Sequence, residues 1–256
     1  MSREEDYIID FFKAYDLKAE KIPESTEESP DFFIALGDEK ILIELKTKID
    51  SSDLIEKREE AFEKGEVYER MAVIGRNNAI SKRIRKASSQ LMSQKNKLNA
   101  DYCFVFLLAD GQYRSEQLGV FETSLYGDKD IIHMGDDFNK GIKKCYYYTN
   151  SDFFNNRSII DGAFLLGGEF GRLCINSVSE NYSSAIKSRF VETFRPGVLC
   201  PIEQESKGEA YLIDTPIDRL DENALKNYLC DKYNLNKIVP FNWPQITVTS
   251  QIKEGK

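Results

Sequence analysis

Hydrophobic and polar positions follow two periods in the first part of the chain, and these periods predict helices and strands in alternation. A first amphipathic helix is predicted by four apolar residues at helical spacing: Ile8, Phe11, Phe12 and Tyr15. Ser2 and Glu5 precede them with the spacing of a capping box. Two short strands at 31–36 and 41–46 flank Gly37-Asp38, a dipeptide typical of a two-residue hairpin turn.

Beyond this hairpin the pattern continues as helices and strands. Residues 52–68 are charged with helical spacing, and a helix over 78–96 is predicted by apolar residues at helical intervals: Ile80, Ile84, Ala87 and Leu91. Residues 101–109 are almost wholly apolar, as in a central strand that is covered on both faces. Further on, 162–166 and 172–178 flank a glycine-rich turn and predict another hairpin. This order predicts an α/β fold with a central sheet flanked by helices.

The last part of the chain differs in composition. Five of the seven prolines lie from Pro196 onward, which predicts a boundary near Arg195. The region after it contains a helical pattern that carries Leu225, Leu229 and Tyr233, and then an extended segment at 245–252. We therefore predict an α/β core over 1–195, with a helical insertion at about 50–77, and a C-terminal α+β subdomain over 196–256 that packs on it.

The overall composition is that of a soluble globular protein, with 41% hydrophobic and 30% charged residues. The longest apolar run covers residues 103–109, far short of the roughly 20 residues that span a bilayer. Residues 1–6 are acidic and unlike a secretory signal. The five cysteines are dispersed, with no CxxC pair, which predicts reduced thiols and no ordinary zinc site. We expect a cytoplasmic protein without a membrane partner.

The charge is distributed unevenly along the chain. The net charge of −8 argues against histones, polybasic membrane binders and ribosomal-type tails. Between residues 70 and 100, however, there is no acidic residue and there are eight basic ones: Arg70, Arg76, Lys82, Arg83, Arg85, Lys86, Lys95 and Lys97. The remaining residues therefore carry −16. Such a cationic segment is typical of a nucleic-acid contact, and a solvated helix face is the alternative interpretation.

The first hairpin carries the most informative charges. If Gly37-Asp38 is a two-residue turn, Asp31 lies directly opposite Glu44, and Lys46 shares their face. The other face is entirely apolar: Phe32, Ile34, Leu36, Ile41, Ile43 and Leu45. Two facing carboxylates repel each other unless a proton or a cation holds them together. Mg²⁺ commonly binds one or two carboxylates together with water and phosphate oxygens, so the pair is a candidate Mg²⁺ site.

Pro30-Asp31, twelve intervening residues and then Glu44-Leu45-Lys46 form a pattern that resembles the PD-(D/E)xK nuclease superfamily. An acidic residue two positions before a lysine occurs five times in the chain, and only the triplet at Glu44 lies inside an apolar strand. The resemblance covers about residues 1–110 and implies a restriction-endonuclease-like core. It also implies that Asp31, Glu44 and the backbone carbonyl of Leu45 bind Mg²⁺ or Mn²⁺, with Lys46 as a further catalytic residue that orients and acidifies the attacking water.

The same resemblance implies additional residues around the site. An acidic residue on the first helix often joins the metal ligands, and Glu5 is the candidate; its alternative role, which we favour, is the capping box with Ser2. Gln90 resembles a polar residue that the family places on the helix after the ExK strand, although it could equally be a glutamine at the helix flank. Four basic residues of that helix are the predicted nucleic-acid contacts: Lys82, Arg83, Arg85 and Lys86.

These observations predict a Mg²⁺-dependent nuclease that hydrolyses phosphodiester bonds in DNA, less often RNA. The resemblance suggests restriction, phage defence or repair as the setting. One alternative is a module that binds nucleic acid or protein without cutting. Another is a subunit of a larger complex, active only when a partner delivers the substrate, and a homodimer is also open. Residues 115–256 match no motif and leave the specificity undefined.

Overall fold

The computed structural model describes residues 2–23, 28–73, 75–134, 141–241 and 245–250. The helices within these ranges are α1 Arg3–Lys13, α2 Ser52–Glu63, α3 Asn78–Lys95, α4 Arg114–Tyr126, α5 Asp152–Asn155, α6 Tyr182–Ala185, α7 Arg189–Thr193, α8 Pro201–Ser206 and α9 Glu222–Tyr233. A short 3-10 helix spans Arg195–Gly197. The predicted first helix, its capping box, the helix over 78–96 and the C-terminal helix are confirmed.

The strands are β1 Ala19–Lys21, β2 Phe32–Leu36, β3 Glu39–Ile49, β4 Tyr68–Val73, β5 Tyr102–Asp110, β6 Lys129–His133, β7 Ile142–Tyr146, β8 Gly162–Gly167, β9 Phe170–Ile175, β10 Val198–Leu199, β11 Ala210–Leu212, β12 Ile238–Phe241 and β13 Gln245–Ser250. The predicted hairpins β2–β3 and β8–β9 and the predicted central strand β5 are confirmed. Of the predicted extended segment at 245–252, the last two positions lie outside the described residues.

A seven-stranded mixed sheet forms the centre of the structure, in the order β1-β2-β3-β5-β8-β9-β10. Strands β3, β5 and β8 are parallel, whereas β2 and β9 run antiparallel to their neighbours β3 and β8. Because β5 lies between two parallel neighbours and is covered on both faces, its residues are nearly all buried. The predicted mixed α/β fold, with a central mixed sheet flanked by helices, is therefore observed.

Each face of this sheet packs against its own helices. On one face, α1 contributes Ile8 and Phe12 to a core that contains alternate residues of the hairpin: Phe32, Ile34, Ile41 and Ile43. On the other face, α3 and α4 pack on Leu42, Val105 and Leu107. The α3 residues in that core are those predicted from the helical spacing: Ile80, Ile84, Ala87 and Leu91. The two faces can therefore be distinguished by the helix that covers them, α1 or α3.

The β2–β3 register is the one that a two-residue turn requires. Leu36 pairs with Glu39, and the ladder continues to the pair Phe32 and Ile43. Gly37 adopts a positive φ of 65°, which suits the first position of such a turn and is strained for residues with a Cβ. The turn therefore fixes which side chains of the two strands face each other.

A second sheet has the order β11-β7-β6-β12, and β13 pairs with β4 in a two-stranded ribbon. The second sheet joins strands from 129–146 with strands from 210–241. The region predicted as a helical insertion consists of α2 and β4. The predicted boundary near residue 195 does not coincide with the sheets, because β10 belongs to the central sheet and β11 extends a sheet begun by earlier strands. Within the described residues, no helix is long and apolar enough to cross a membrane.

Candidate active site

The predicted trio of Asp31, Glu44 and Lys46 lies at the open end of the β2–β3 hairpin. Asp31 directly precedes β2, and its position is the next step of the register after the pair Phe32 and Ile43, opposite Glu44. Period-2 alternation places Glu44 and Lys46 on the α3 face, beside the core residue Leu42. The structure thus brings the three predicted catalytic side chains to one face of the sheet.

Asp31 is held in place by the backbone of β3. The N–H of Leu45 donates a hydrogen bond to Asp31 Oδ2 at 2.7 Å. In a strand, the N–H and C=O of one residue point to the same side, so the Leu45 carbonyl also points toward the β2 edge. If the ladder continued, Pro30 would pair with Leu45. Proline has no N–H, so it cannot donate a hydrogen bond to the Leu45 carbonyl. The predicted backbone ligand therefore faces the same edge as Asp31.

Glu44 is the buried member of the pair, with only 1% of its side chain exposed. Among the described residues, none donates a hydrogen bond to its Oε2. Burial and the negative charge of Asp31 raise the pKa of Glu44 to about 8, although the charge of Lys46 opposes this shift. Without a cation, the raised pKa therefore favours a proton on Glu44 near neutral pH.

Lys46 connects the carboxylate pair to helix α3. Its Nζ contacts Glu44 Oε1 and donates to Gln90 Oε1 at 2.9 Å. Gln90 in turn donates from Nε2 to the carbonyl of Ser29 at 3.2 Å, next to the Pro30-Asp31 segment. The structure thus places Gln90 beside Lys46, and its amide links α3 to both arms of the hairpin. An ammonium group has three donors, so Lys46 retains one for a further acceptor.

Glu5, predicted as an additional metal ligand, is not brought to this group. Its carboxylate accepts from Ser2 N at 2.7 Å and binds Lys21 Nζ at 2.7 Å. Lys21 pairs with Phe32, so its side chain lies on the α1 face, opposite the face that carries Glu44. The capping box, favoured from the sequence, is the role that the structure gives to Glu5.

The predicted nucleic-acid contacts are exposed residues of α3: Lys82, Arg83, Arg85 and Lys86. None of these four forms an ion pair with a carboxylate of the described residues. Arg83 and Lys86 precede Gln90 by seven and four positions, so they lie along the same side of the helix, toward the candidate site. Arg83 also donates to the carbonyl of Thr47 at 2.5 Å, which holds its guanidinium against β3.

Two other cations of the basic segment have acidic partners that the sequence did not reveal. Arg70 pairs with Glu116, and its guanidinium stacks on the ring of Tyr113. Arg76 pairs with the buried Asp152 at 3.5 Å. These partners are distant in the sequence, so the count of eight free positive charges overstates the available cationic surface. The unpaired charges are concentrated on α3.

The residues present fit a small divalent cation held by two carboxylates. Asp31 and Glu44 supply oxygen ligands, and the partnerless Oε2 of Glu44 is a buried acceptor that a cation would satisfy. No group of three or more His, Cys, Asp or Glu side chains suited to a metal occurs in the described part of the chain. Two carboxylates alone could hold a hard cation such as Mg²⁺ only if water or other oxygen ligands completed its coordination.

Lys48 is a further residue beside the site that the sequence analysis did not identify. The strand was predicted to end at residue 46, but β3 continues to Ile49. Lys48 therefore follows Glu44 and Lys46 on the α3 face, half-buried, and the period-2 alternation that identified those two residues would also have identified it.

Comparison of the chain with protein families, with curated proteins and with solved structures gives no match in any of the three.

Proposed function

We propose that this chain is a divalent-metal-dependent nuclease with a restriction-endonuclease-like core, which hydrolyses phosphodiester bonds in DNA. One observation carries the proposal. Asp31 and Glu44 face each other at the end of a hairpin, and Lys46 contacts Glu44 from the same face. A buried carboxylate next to a second, half-buried one costs stability, and a cation bound by both beside Lys46 would offset that cost.

The order of elements around the trio supports the type of core. Helix α1 is followed by the β2–β3 hairpin, then by α3 and the central strand β5, which is parallel to β3. This is the order that the resemblance to the PD-(D/E)xK superfamily led us to expect. The cation would be Mg²⁺ or Mn²⁺, held by Asp31, Glu44 and the Leu45 carbonyl.

Each residue of the trio has a separate task in this scheme. The carboxylates of Asp31 and Glu44 bind the cation, and Glu44 must release its proton to do so because its pKa is raised. A bound divalent cation lowers the pKa of a coordinated water and polarises phosphoryl oxygens. Lys46 uses its remaining donor to orient the attacking water and to stabilise the negative charge that develops on the phosphate. Gln90 fixes the ammonium of Lys46 and so orients it.

The surface of α3 supports nucleic acid as the substrate. Its exposed cations, Lys82, Arg83, Arg85 and Lys86, lie on the helix that supplies Gln90 to the site. A strand bound along α3 would therefore present its phosphates to Lys46 while these cations replace counterions. The acidic remainder of the chain limits non-specific attraction to DNA, so selectivity would come from the second half of the chain or from a partner.

The test is a panel of substrates and metals with the full chain. Supercoiled plasmid, single-stranded DNA and RNA are each incubated with Mg²⁺, Mn²⁺ or EDTA. The proposal predicts cleavage with Mg²⁺ or Mn²⁺ and none with EDTA, with DNA as the preferred substrate. Binding without cleavage under every metal would favour a non-catalytic nucleic-acid-binding module, and cleavage in EDTA would contradict the metal site.

A further inference from the structure

Lys48 lies on β3 two residues beyond Lys46 and on the same face of the sheet. It borders an open cavity of about 270 Å³ that is also lined by Asp50, Arg70, Tyr113 and Glu116. The amino group of Lys48 forms no hydrogen bond and no ion pair with a described residue. A half-buried lysine without a partner, next to a candidate active site, is the feature that the proposed function leaves unexplained.

The acidic groups around Lys48 are engaged elsewhere. Asp50 Oδ2 accepts from the N–H of Gln112 at 2.6 Å, and its Oδ1 accepts from Gln117 Nε2 at 2.7 Å. Glu116 pairs with Arg70. Both carboxylates are held by these contacts and neither forms an ion pair with Lys48, so the Lys48 ammonium remains available to an anion that enters the cavity from solvent.

A second cation lies on the α3 side of Lys48. The guanidinium of Arg83 is held at the Thr47 carbonyl, one residue before Lys48, and its charge acts on the Lys48 ammonium. The charges that act on Lys48 include two further cations, Arg83 and Arg70, and two carboxylates, Asp50 and Glu116. The charged residues that line the cavity balance each other, and Arg83 beside them adds a cation that pairs with no carboxylate of the described residues.

The position of Lys48 relative to Lys46 suggests which anion binds there. Two residues of extended strand cover about 6.6 Å, a distance on the scale of the separation between neighbouring phosphates on one nucleic-acid strand. We propose that Lys48 and Arg83 form a second phosphate subsite, which binds the phosphate next to the scissile one on the same strand. This inference rests on the proposed nuclease function and extends it from a single bond to a strand held at two consecutive phosphates.

The electrostatics of Lys48 agree with such a role. Burial and the charge of Arg83 lower the pKa of Lys48, so its cationic form is destabilised when no anion is present. A bound phosphate would offset both effects, because it supplies the opposite charge and accepts hydrogen bonds from the ammonium.

The first test maps cleavage at nucleotide resolution. Duplex DNA labelled at one end carries a single uncharged methylphosphonate at a chosen position and is digested with Mg²⁺ by the wild type and by Lys48→Met. In the wild type, cleavage falls about tenfold at one bond adjacent to the modified phosphate, as expected for the loss of one charge-assisted contact. Lys48→Met cleaves all bonds more slowly and shows no extra loss at that adjacent bond.

Two variants control this experiment. Lys48→Arg keeps the positive charge. It should therefore again show reduced cleavage at the bond adjacent to the methylphosphonate, as the wild type does. Lys18→Met removes a lysine that is 83% exposed, and it should behave as the wild type. If Lys48→Met cleaves at the wild-type rate and still shows the loss at the adjacent bond, the subsite is wrong while the nuclease function stands.

A second readout separates failure of the subsite from failure of the proposed function. The affinity of Asp31→Asn for unmodified duplex DNA is measured over a range of salt concentrations, with and without Lys48→Met. Loss of one phosphate contact lowers the slope of log affinity against log salt by about 0.9. If the wild type cuts none of the substrates, the proposed nuclease function is wrong. If Lys48→Met also leaves the salt slope of Asp31→Asn unchanged, the phosphate contact is wrong as well.

Discussion

Asp31 and Glu44 face each other across the open end of the β2–β3 hairpin, and their environments differ. The Asp31 carboxylate is fixed by the N–H of Leu45, whereas Glu44 is buried with one oxygen that no described residue satisfies. Lys46 contacts Glu44 and Gln90 and ties the pair to helix α3. The consequences of this arrangement can be measured separately for stability, for catalysis and for binding.

The raised pKa of Glu44 predicts that the metal-free protein loses stability as the pH rises. Between the ordinary pKa of 4.5 and the folded value of about 8, the folded state binds a proton that the unfolded state has released. The contribution of Glu44 to the unfolding free energy therefore falls across this window, by at most about 1.4 kcal/mol per pH unit. Urea unfolding in EDTA at pH values from about 5 to about 9 measures this change, and Glu44→Gln should flatten the profile. An equal slope in both proteins would refute the assignment.

Removing the charge of Asp31 should stabilise the metal-free protein. Once Glu44 has lost its proton, its charge and the charge of Asp31 repel each other, so Asp31→Asn is expected to raise the unfolding free energy in EDTA by about 0.5 to 1 kcal/mol. An asparagine still accepts the hydrogen bond from Leu45. The matched control is Asp38→Asn in the turn of the same hairpin, where the side chain is 91% exposed and asparagine suits the turn, so stability should not change. Destabilisation by Asp31→Asn would contradict the repulsion between the carboxylates.

Gln90 is expected to act on catalysis through Lys46. Gln90→Leu removes the acceptor for the Lys46 ammonium and the donor to Ser29, and we predict a loss of cleavage of about tenfold. Gln94→Leu, one turn further along α3, makes the same chemical change away from Lys46 and should leave the rate unchanged. Single-turnover rates with Mg²⁺ measure both effects. Equal losses in the two variants would indicate a general effect on α3.

The unpaired cations of α3 should determine how DNA binding depends on salt. Replacing Lys82 and Lys86 together by glutamine is expected to lower the slope of log affinity against log salt by about 1.8 for duplex DNA. Arg76→Gln removes a charge of the same basic segment that already pairs with Asp152, so its slope should match the wild type. Binding is followed in EDTA to avoid cleavage. A larger change in slope for Arg76→Gln would place the binding surface elsewhere.

Local patterns in the sequence carried enough information to place the core of the candidate site. The Gly37-Asp38 turn fixed the register, and the register placed Asp31 opposite Glu44 and Lys46 on their face. Apolar spacing on α3 then set the side of the helix from which Gln90 reaches Lys46. These inferences succeeded because each depends on a short-range period or on a single tight turn.

Strand pairs and ion pairs between residues far apart in the sequence were not predicted. Strand β11 pairs in parallel with β7, more than sixty residues earlier in the chain, and no local period encodes that contact. No local pattern indicated that β10, which follows the predicted boundary near Arg195, continues the central sheet. In the same way, the partners of Arg70 and Arg76 come from α4 and α5, so their charges seemed free in the sequence.

Nicking of supercoiled plasmid shows directly whether Asp31 and Lys46 belong to a nuclease active site. The wild type, Asp31→Asn, Lys46→Met and the control Asp38→Asn are compared with Mg²⁺ and with EDTA. We expect nicking by the wild type and Asp38→Asn with Mg²⁺ only, and a rate at least about 100-fold lower for Asp31→Asn and Lys46→Met. Wild-type activity that survives both Asp31→Asn and Lys46→Met would show that this pair of carboxylates and its lysine are not the active site.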